Sequence, residues 1–339
     1  MTWEDAMTAI DRRRVLTGAA AVTGTALGRQ VALIPAHAAA PPIGKQAAGF
    51  YRYKVGSYEI TVVTDGARSF PLPDSFVINA KKEEVNEALE RAFMPKDRIT
   101  LVFNPIVVNT GSRLIAIDTG FGPAAGAQPN STSGKYQDNL VAAGIDVKSI
   151  DTVIISHYHQ DHVDGLLAAD GTPAFPNAEI LVPAAEHKFW MDDGEMSRAP
   201  KGRMEGLFKN NRRVFSGEIL KRLKQYEWSK EVVPGITSVE TAGHTAGHTS
   251  FVVASESDRM FVFSDVTNRP ELFVRNPHWH AFFDQIPDQA EKSRVKVLDM
   301  LLADKLLVQT FHAPFPGHGY IDKDGQGYRF IPAAWNPVL

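Results

Sequence analysis

Ser156-His157-Tyr158-His159-Gln160-Asp161-His162 follows directly on the apolar run Val153-Ile154-Ile155. Three β-branched residues in a row, reached from Thr152, read as a buried strand. Three histidines and a carboxylate therefore crowd into the six positions 157–162, where that strand gives way to a loop. A histidine pair two residues apart converges if the loop bends, and the strand behind it fixes the bases of the side chains. Neutral imidazole and carboxylate together suit zinc, iron, manganese or cobalt. The chain has no cysteine, which excludes disulfides, thiolate metal sites and cysteine nucleophiles together. Any metal must be held by nitrogen and oxygen.

Further along, the same chemistry recurs at the ends of other apolar runs. Thr241-Ala242-Gly243-His244-Thr245-Ala246-Gly247-His248-Thr249 sets a histidine in a glycine-flanked turn between strands. Phe261-Val262-Phe263-Ser264-Asp265 ends an apolar strand on a carboxylate, and Phe311-His312-Ala313-Pro314 ends one on a histidine. Upstream, the strand Arg113–Ile117 runs into Asp118-Thr119-Gly120. Ligands from the ends of separate strands can gather at one edge of a sheet sandwich.

Taken in order, H-x-H-x-D-H, G-H-T-x-G-H-T, F-S-D and a late histidine resemble the ligand series of the metallo-β-lactamase superfamily, and Asp118-Thr119-Gly120 matches its upstream motif. The resemblance implies an α/β fold, an αββα four-layer sandwich, and two divalent metal ions, zinc foremost, with manganese, iron or cobalt as substitutes. It implies that His157, His159 and His244 hold one ion and that Asp161, His162 and His312 hold the other, with Asp265 bridging. Asp118 and His248 stand behind these ligands, Asp118 as an organiser or a strand-end turn residue, His248 in packing or hydrogen bonding. Hydrolysis follows from such a centre: the ions acidify a bridging water and polarise a carbonyl or phosphoryl oxygen, with Asp161 orienting the nucleophile and shuttling its proton.

Within the superfamily, Asp265 at the bridging position separates the chain from the true β-lactamases, and His159 separates it from flavo-diiron proteins. Asn276-Pro277, Ala303-Asp304-Lys305 and Phe311-His312-Ala313-Pro314-Phe315-Pro316 resemble the methyl parathion hydrolase group, which includes exported lactonases and arylesterases. The implied substrate is a small neutral ester, lactone or phosphotriester, and the implied assembly a homodimer. Hydrolysis of a β-lactam or thioester on the same centre is the alternative. From another class, a periplasmic metal-binding protein without turnover would keep the ligands but need no cleft. Lactonases of the quorum-signal branch carry a tyrosine three residues after the bridging aspartate, whereas this chain has Asn268, a hydrogen-bond donor but not a phenolic acid. Phe121, Trp190, Phe208 and Phe273, with Asn268, are the candidate pocket walls, joined by Phe189 and Phe283; each aromatic taken singly reads first as core packing, and only the set suggests an apolar cleft. His187, His278, His280 and His318 match no ligand motif and read as surface or structural.

Around these motifs the chain alternates strands and helices. Tyr51–Val63 reads as a strand pair broken at Gly56-Ser57, and Lys82–Phe93 as a helix. Thr100–Val108 pairs with Arg113–Ile117, and Phe121–Lys135 is a loop without periodicity. A short helix closes over Leu140–Gly144. Glu179–Val182 is a strand, Ala184–Trp190 and Gly217–Tyr226 are helices, and strands follow at Thr237–Glu240, Ser250–Ala254 and Met260–Phe263. A helix over Gln289–Leu302 precedes a last strand, Leu306–Phe311. Two sheets with helices outside fit this order, as one domain over residues 39–339.

Residues 1–38 read as an export signal: the cluster Arg12-Arg13-Arg14, a weakly apolar run Gly18–Leu27, and Ala36-His37-Ala38 as an A-x-A cleavage pattern. The arginines and mild apolar run resemble a twin-arginine signal, with Asp11 where serine or threonine is usual. The expectation is a periplasmic or secreted protein with no stable membrane insertion once the signal is removed. The net charge of −3 and the lack of a basic, aromatic-interleaved stretch give a nucleic-acid partner no electrostatic support.

Overall fold

Successive side chains of a strand point to opposite faces, and here both faces are apolar. Ile106, Val108, Ile115, Ile117 and Ile154 enter a core between two sheets, while Val107, Ala116, Val153 and Ile155 enter a second core beneath helices. This double burial is why these segments read as unbroken apolar runs rather than alternating ones. The computed structural model describes residue 44 and residues 46–339. The expected export signal at 1–38 lies outside the described residues, and Ala47–Leu339 forms one compact unit.

The unit begins with β1 (Phe50–Val55) and β2 (Tyr58–Val63), and β3 (Gly66–Pro71) pairs with β4 (Arg98–Phe103) in a separate two-stranded sheet. β5 (Ile106–Asn109), β6 (Leu114–Ile117), β7 (Thr152–Ile154), β8 (Glu179–Pro183) and β9 (Leu223–Tyr226) complete the first large sheet, in the order β1-β2-β5-β6-β7-β8-β9. The second large sheet holds β10 (Glu231–Val233), β11 (Ile236–Glu240), β12 (Thr249–Ser255), β13 (Asp258–Val262), β14 (Leu307–Gln309), β15 (His318–Asp324) and β16 (Gly327–Pro332), in chain order. Phe251, Val253 and Met260 of the second sheet meet Ile60, Val62 and Ile115 of the first across the sandwich. Tyr136, Leu140, Trp190, Leu207 and Phe208 from helices cover the outside of the first sheet. Val297, Leu298 and Leu301 of the helix Pro287–Asp304 cover Phe261, Phe263 and Val308 of the second. Each such side chain fully removed from water contributes about 1.5–3 kcal/mol, so the four layers are held mainly by these three cores.

Several sequence expectations need correction. Thr100–Val108 is two strands in different sheets, because Pro105 has no N–H to continue a ladder and its carbonyl instead accepts from Val63. Gly217–Tyr226 is helical only to Lys221; Leu223–Tyr226 is the edge strand β9, running parallel to β8. The short helix expected at Leu140–Gly144 spans Tyr136–Ala142, and the Phe121–Lys135 loop contains a helical turn, Gly122–Gly126. Several elements had no expectation: β3, β10, the helix Asp193–Arg198, the charged helix Arg203–Val214 and the β15–β16 hairpin.

Candidate metal centre

β6, β7, β11, β13 and β14 all end at one edge of the sandwich. β6 and β7 run parallel, as do β13 and β14, and β11 and β13 are both antiparallel to β12. Asp118, the 157–162 segment, His244, Asp265 and His312 follow the C-terminal ends of these strands, so the ordinary continuation of the fold brings them together. His159 caps a single helical turn, Gln160–Val163, which swings Asp161 and His162 back toward His157.

Nitrogen and oxygen atoms of His157, His159 and His244 lie within 4.8 Å of one another, as do those of Asp161, His162 and His312. His159 Nδ1 stands 3.1 Å from His157 Nε2 and 2.9 Å from His244 Nε2. Asp265 lies between the groups: Oδ1 is 3.2 Å from His162 Nε2, and Oδ2 is 3.1 Å from His312 Nε2 and 3.3 Å from His244 Nε2. Asp161 Oδ2 reaches His162 Nε2 at 3.6 Å and His312 Nε2 at 3.5 Å.

The opposite nitrogens of the rings are tied down from outside. His162 Nδ1 meets Asp118 Oδ2 at 2.8 Å, His244 Nδ1 meets Asp284 Oδ1 at 2.8 Å, and His312 Nδ1 donates to the Val102 carbonyl at 2.8 Å. His157 Nδ1 lies 3.0 Å from Ser156 Oγ. Imidazoles fastened at one nitrogen with the other turned inward have the arrangement of metal-ligating histidines. A divalent ion fits this donor set on a further observation: His162 Nε2 and Asp265 Oδ1 are buried without a hydrogen bond although they face each other. Buried polar atoms left so carry a desolvation cost that coordination removes.

Electrostatics separates the rings. Burial pushes His157 and His159 well below the usual imidazole range. Burial acts on His162 and His244 too, but carboxylates outweigh it: Asp265, Asp161 and Asp118 raise His162, and Asp265 and Asp284 lift His244 to about 9. Asp265 is itself held well below the carboxylate range, since His312 and His162 overcome its burial.

The remaining expected residues fall into clear places. Asp118 has a left-handed backbone, φ 61°, and its carboxylate accepts from the Ser156 N–H and Oγ–H, both at 2.8 Å. Ser264, also left-handed at φ 49°, donates to Ser156 Oγ at 2.6 Å, so two strained turns converge on one serine. His248 does not join either ligand group. Its Nε2 accepts the Asp265 N–H at 2.9 Å while its Nδ1 donates to the Thr241 carbonyl, the pattern of a neutral ring, and burial lowers it to about 3. His187 contacts the Tyr158 hydroxyl, His278 and His280 share Glu291, and His318 stacks on Tyr53.

A cavity of about 540 Å³ opens on the cluster, lined by Phe70, Leu101, Phe103, Phe121, Phe282 and Phe283, with Asn268, Asp161, Arg68 and Arg203 among its polar groups. Phe121 and Asn268 are where a pocket wall was expected. Trp190, Phe208 and Phe273 are not: all three are fully buried, the first two in the core under the first sheet and Phe273 against the helix Lys82–Arg91. An aromatic residue serves a core wall and a pocket wall equally well, so residue type alone does not separate them. Sequence reasoning also missed Asp284, Glu186 and both arginines. Glu186 accepts from Tyr158 N, Gly247 N and Trp190 Nε1, joining two ligand loops. None of the four sits in a repeated spacing, and nothing local marks them.

The family model described as the metallo-beta-lactamase superfamily matches residues 103–312. Among solved structures, the chain is similar to AidC, a dizinc quorum-quenching lactonase in complex with the product N-hexanoyl-L-homoserine. The two share 26% identity and a TM-score of 0.78, over 85% of this chain and 98% of the other. It is similar also to the hydrolase AbOPH of the beta lactamase superfamily: 28% identity, TM-score 0.79, 86% of this chain and 100% of the other. An N-acyl homoserine lactonase from Bacillus sp is 28% identical over 171 residues, 50% of this chain; the match spans only 58% of that relative's length.

Proposed function

The chain belongs to the metallo-β-lactamase superfamily, and we propose that it is a two-metal hydrolase of ester bonds, acting on lactones and carboxylic esters and, by the same chemistry, on phosphotriesters. The observation that carries this reading is Asp265, whose one carboxylate reaches both groups of ligands, His244 of the first and His162 and His312 of the second, at the floor of an aromatic-walled cavity. Likeness to two lactonases, AidC and the Bacillus relative, supports lactones as the first substrates to try.

His157, His159 and His244 would hold one ion, and Asp161, His162 and His312 the other, with Asp265 between. When bound, two such ions, zinc foremost, supply Lewis acidity at the substrate oxygen and toward the attacking water. The chain's own residues do the rest. Asp118, Asp284 and the Val102 carbonyl fix the orientation of three histidines, so the donor set is organised before substrate arrives. Asp161 is the ligand most open to the cavity and takes the proton of the attacking water, later delivering it to the leaving oxygen. Asn268 Oδ1 is buried without a partner at the cavity wall, so this amide is free to bond a polar group of the substrate. Phe103, Phe121 and Phe283 exclude water from the reacting bond.

Export belongs to the same reading. Residues 1–38 act as a twin-arginine signal, which carries folded cargo and delivers the protein with its ions in place. Replacing Arg13 and Arg14 by lysine should hold it in the cytoplasm on fractionation; undiminished export removes the twin-arginine assignment.

Elemental analysis of purified protein, beside hydrolysis of a γ-lactone, an aryl ester and a paraoxon-like triester, tests the proposal. About two ions per chain with chelator-sensitive turnover is the expected result. No turnover of any of the three after supplying zinc or manganese overturns it.

A further inference from the structure

Two guanidiniums line the cavity, and neither has a carboxylate partner within ion-pair distance among the described residues. Arg68, on β3, lies with its Cζ 3.4 Å from the centre of the Phe121 ring and donates from Nε to Ser133 Oγ at 2.9 Å, which fixes the fork and leaves its terminal nitrogens free. Arg203, first residue of the helix Arg203–Val214, has its Cζ 5.8 Å from the centre of the Phe282 ring and Nη2 3.3 Å from His159 Nε2.

The carboxylates lining the cavity are Asp161 and Asp265, and both face the histidine cluster. Desolvation opposes the charge of each arginine, and Asp161 is the carboxylate that most offsets it. Asp65 and Asp164 offset Arg68 to a smaller extent and Asp284 offsets Arg203, but these three are already engaged elsewhere, Asp65 by the Phe121, Gly134 and Tyr136 N–H groups, Asp164 by Asn210, and Asp284 by His244 and Arg294. The contact to His159 supplies no anion either: a ring that gives Nδ1 to a metal carries its proton on Nε2, so Arg203 then meets a donor rather than an acceptor. Both forks therefore face an aromatic-walled cavity with no carboxylate at ion-pair distance among the described residues.

We propose that Arg68 and Arg203 select substrates bearing an anionic group beside the scissile bond, an acidic ester or lactone rather than a neutral one. This rests on the hydrolase reading above and departs from the neutral substrate that the family resemblance implies. Charge-assisted hydrogen bonds from a guanidinium to such a group contribute about tenfold or more to recognition.

Paired chromogenic esters test it: p-nitrophenyl butyrate, which is neutral, and mono-p-nitrophenyl glutarate, whose acyl chain ends in a carboxylate. Wild-type protein should favour the glutarate about tenfold in kcat/KM, mainly through KM. The Arg68→Gln and Arg203→Gln variants should lose that preference, the glutarate-to-butyrate ratio of kcat/KM falling toward one. Calorimetric binding of 2-naphthalenesulfonate against 2-naphthalenemethanol reads the same site without turnover, and the sulfonate should bind about tenfold tighter only where the arginines remain. Equal handling of both esters with equal binding of both probes overturns the inference and leaves the hydrolase reading standing. Arginine-dependent sulfonate binding without cleavage of any ester supports the anion site and overturns the hydrolase reading instead.

Discussion

Asp265 and His248 differ by 17 positions and share one hydrogen bond, yet their replacement should have unlike effects. Asp265→Ala removes the carboxylate between the two histidine groups, so bound metal should fall from about two ions to one or fewer, with kcat/KM down by about a thousandfold. His248→Ala leaves every ligating side chain in place and removes the acceptor that orients the Asp265 backbone together with the donor to the Thr241 carbonyl. Both ions should still bind at saturating metal, with affinity or turnover weakened about 10–100-fold. Elemental analysis of the two variants side by side decides it; loss of an ion from His248→Ala would make that ring a ligand. These roles differ in how far they could be read from the chain. His157, His159, Asp161 and His162 announce themselves because four donors share six positions. Asp284 does not, since its value is a 2.8 Å contact to a histidine 40 residues away, itself braced by Arg294.

At the level of elements, the helix Ala184–Met191 and the turn between β11 and β12 are pressed together through Glu186. Its carboxylate is fully buried and accepts the Gly247 N–H at 2.6 Å. A Cβ placed on Gly247 would collide with the backbone nitrogen of Glu186, and one on Gly243 with that of Ala290. The glycines of the G-H-T-A-G-H-T stretch are therefore demanded by packing around His244 as well as by the turn. Gly247→Ala should separate helix and turn, lower stability by about 1–3 kcal/mol and weaken the grip on His244. A shift in the urea midpoint together with reduced metal affinity is the expected pair of readings, and an unchanged midpoint would mean that the turn relaxes at no cost. The glycines were visible in the sequence, but their neighbour was not. The same holds for β9: Leu223–Tyr226 is too short for periodicity to tell strand from helix, and only the open edge of β8 decides in favour of the strand.

Over the whole molecule, the ligand set is divided between the two sheets: His157, His159, Asp161 and His162 follow β7 of the first, and His244, Asp265 and His312 follow β11, β13 and β14 of the second. Both bound ions would draw donors from each side of the sandwich, so binding is coupled to the docking of one sheet on the other. Free ligand at a thousand times Kd adds about 4 kcal/mol per site to the folded state. For a unit of this size two such sites correspond to a fall in Tm of roughly 10–30 °C when the ions are withdrawn. Withdrawal also leaves inward-facing nitrogens 2.9–3.1 Å apart with no shared cation, and not all can carry protons at once. Calorimetry of the full chain before and after exhaustive chelation, with zinc then restored, should show a large and reversible loss of Tm. A demetallated protein, verified by elemental analysis, that melts at the original temperature would show that the interleaved apolar core around Phe251, Val253 and Met260 holds the sheets together without help from the centre. In that case the division of ligands between sheets serves geometry alone: each half of the sandwich carries its donors rigidly, and the site is assembled by the same packing that closes the fold.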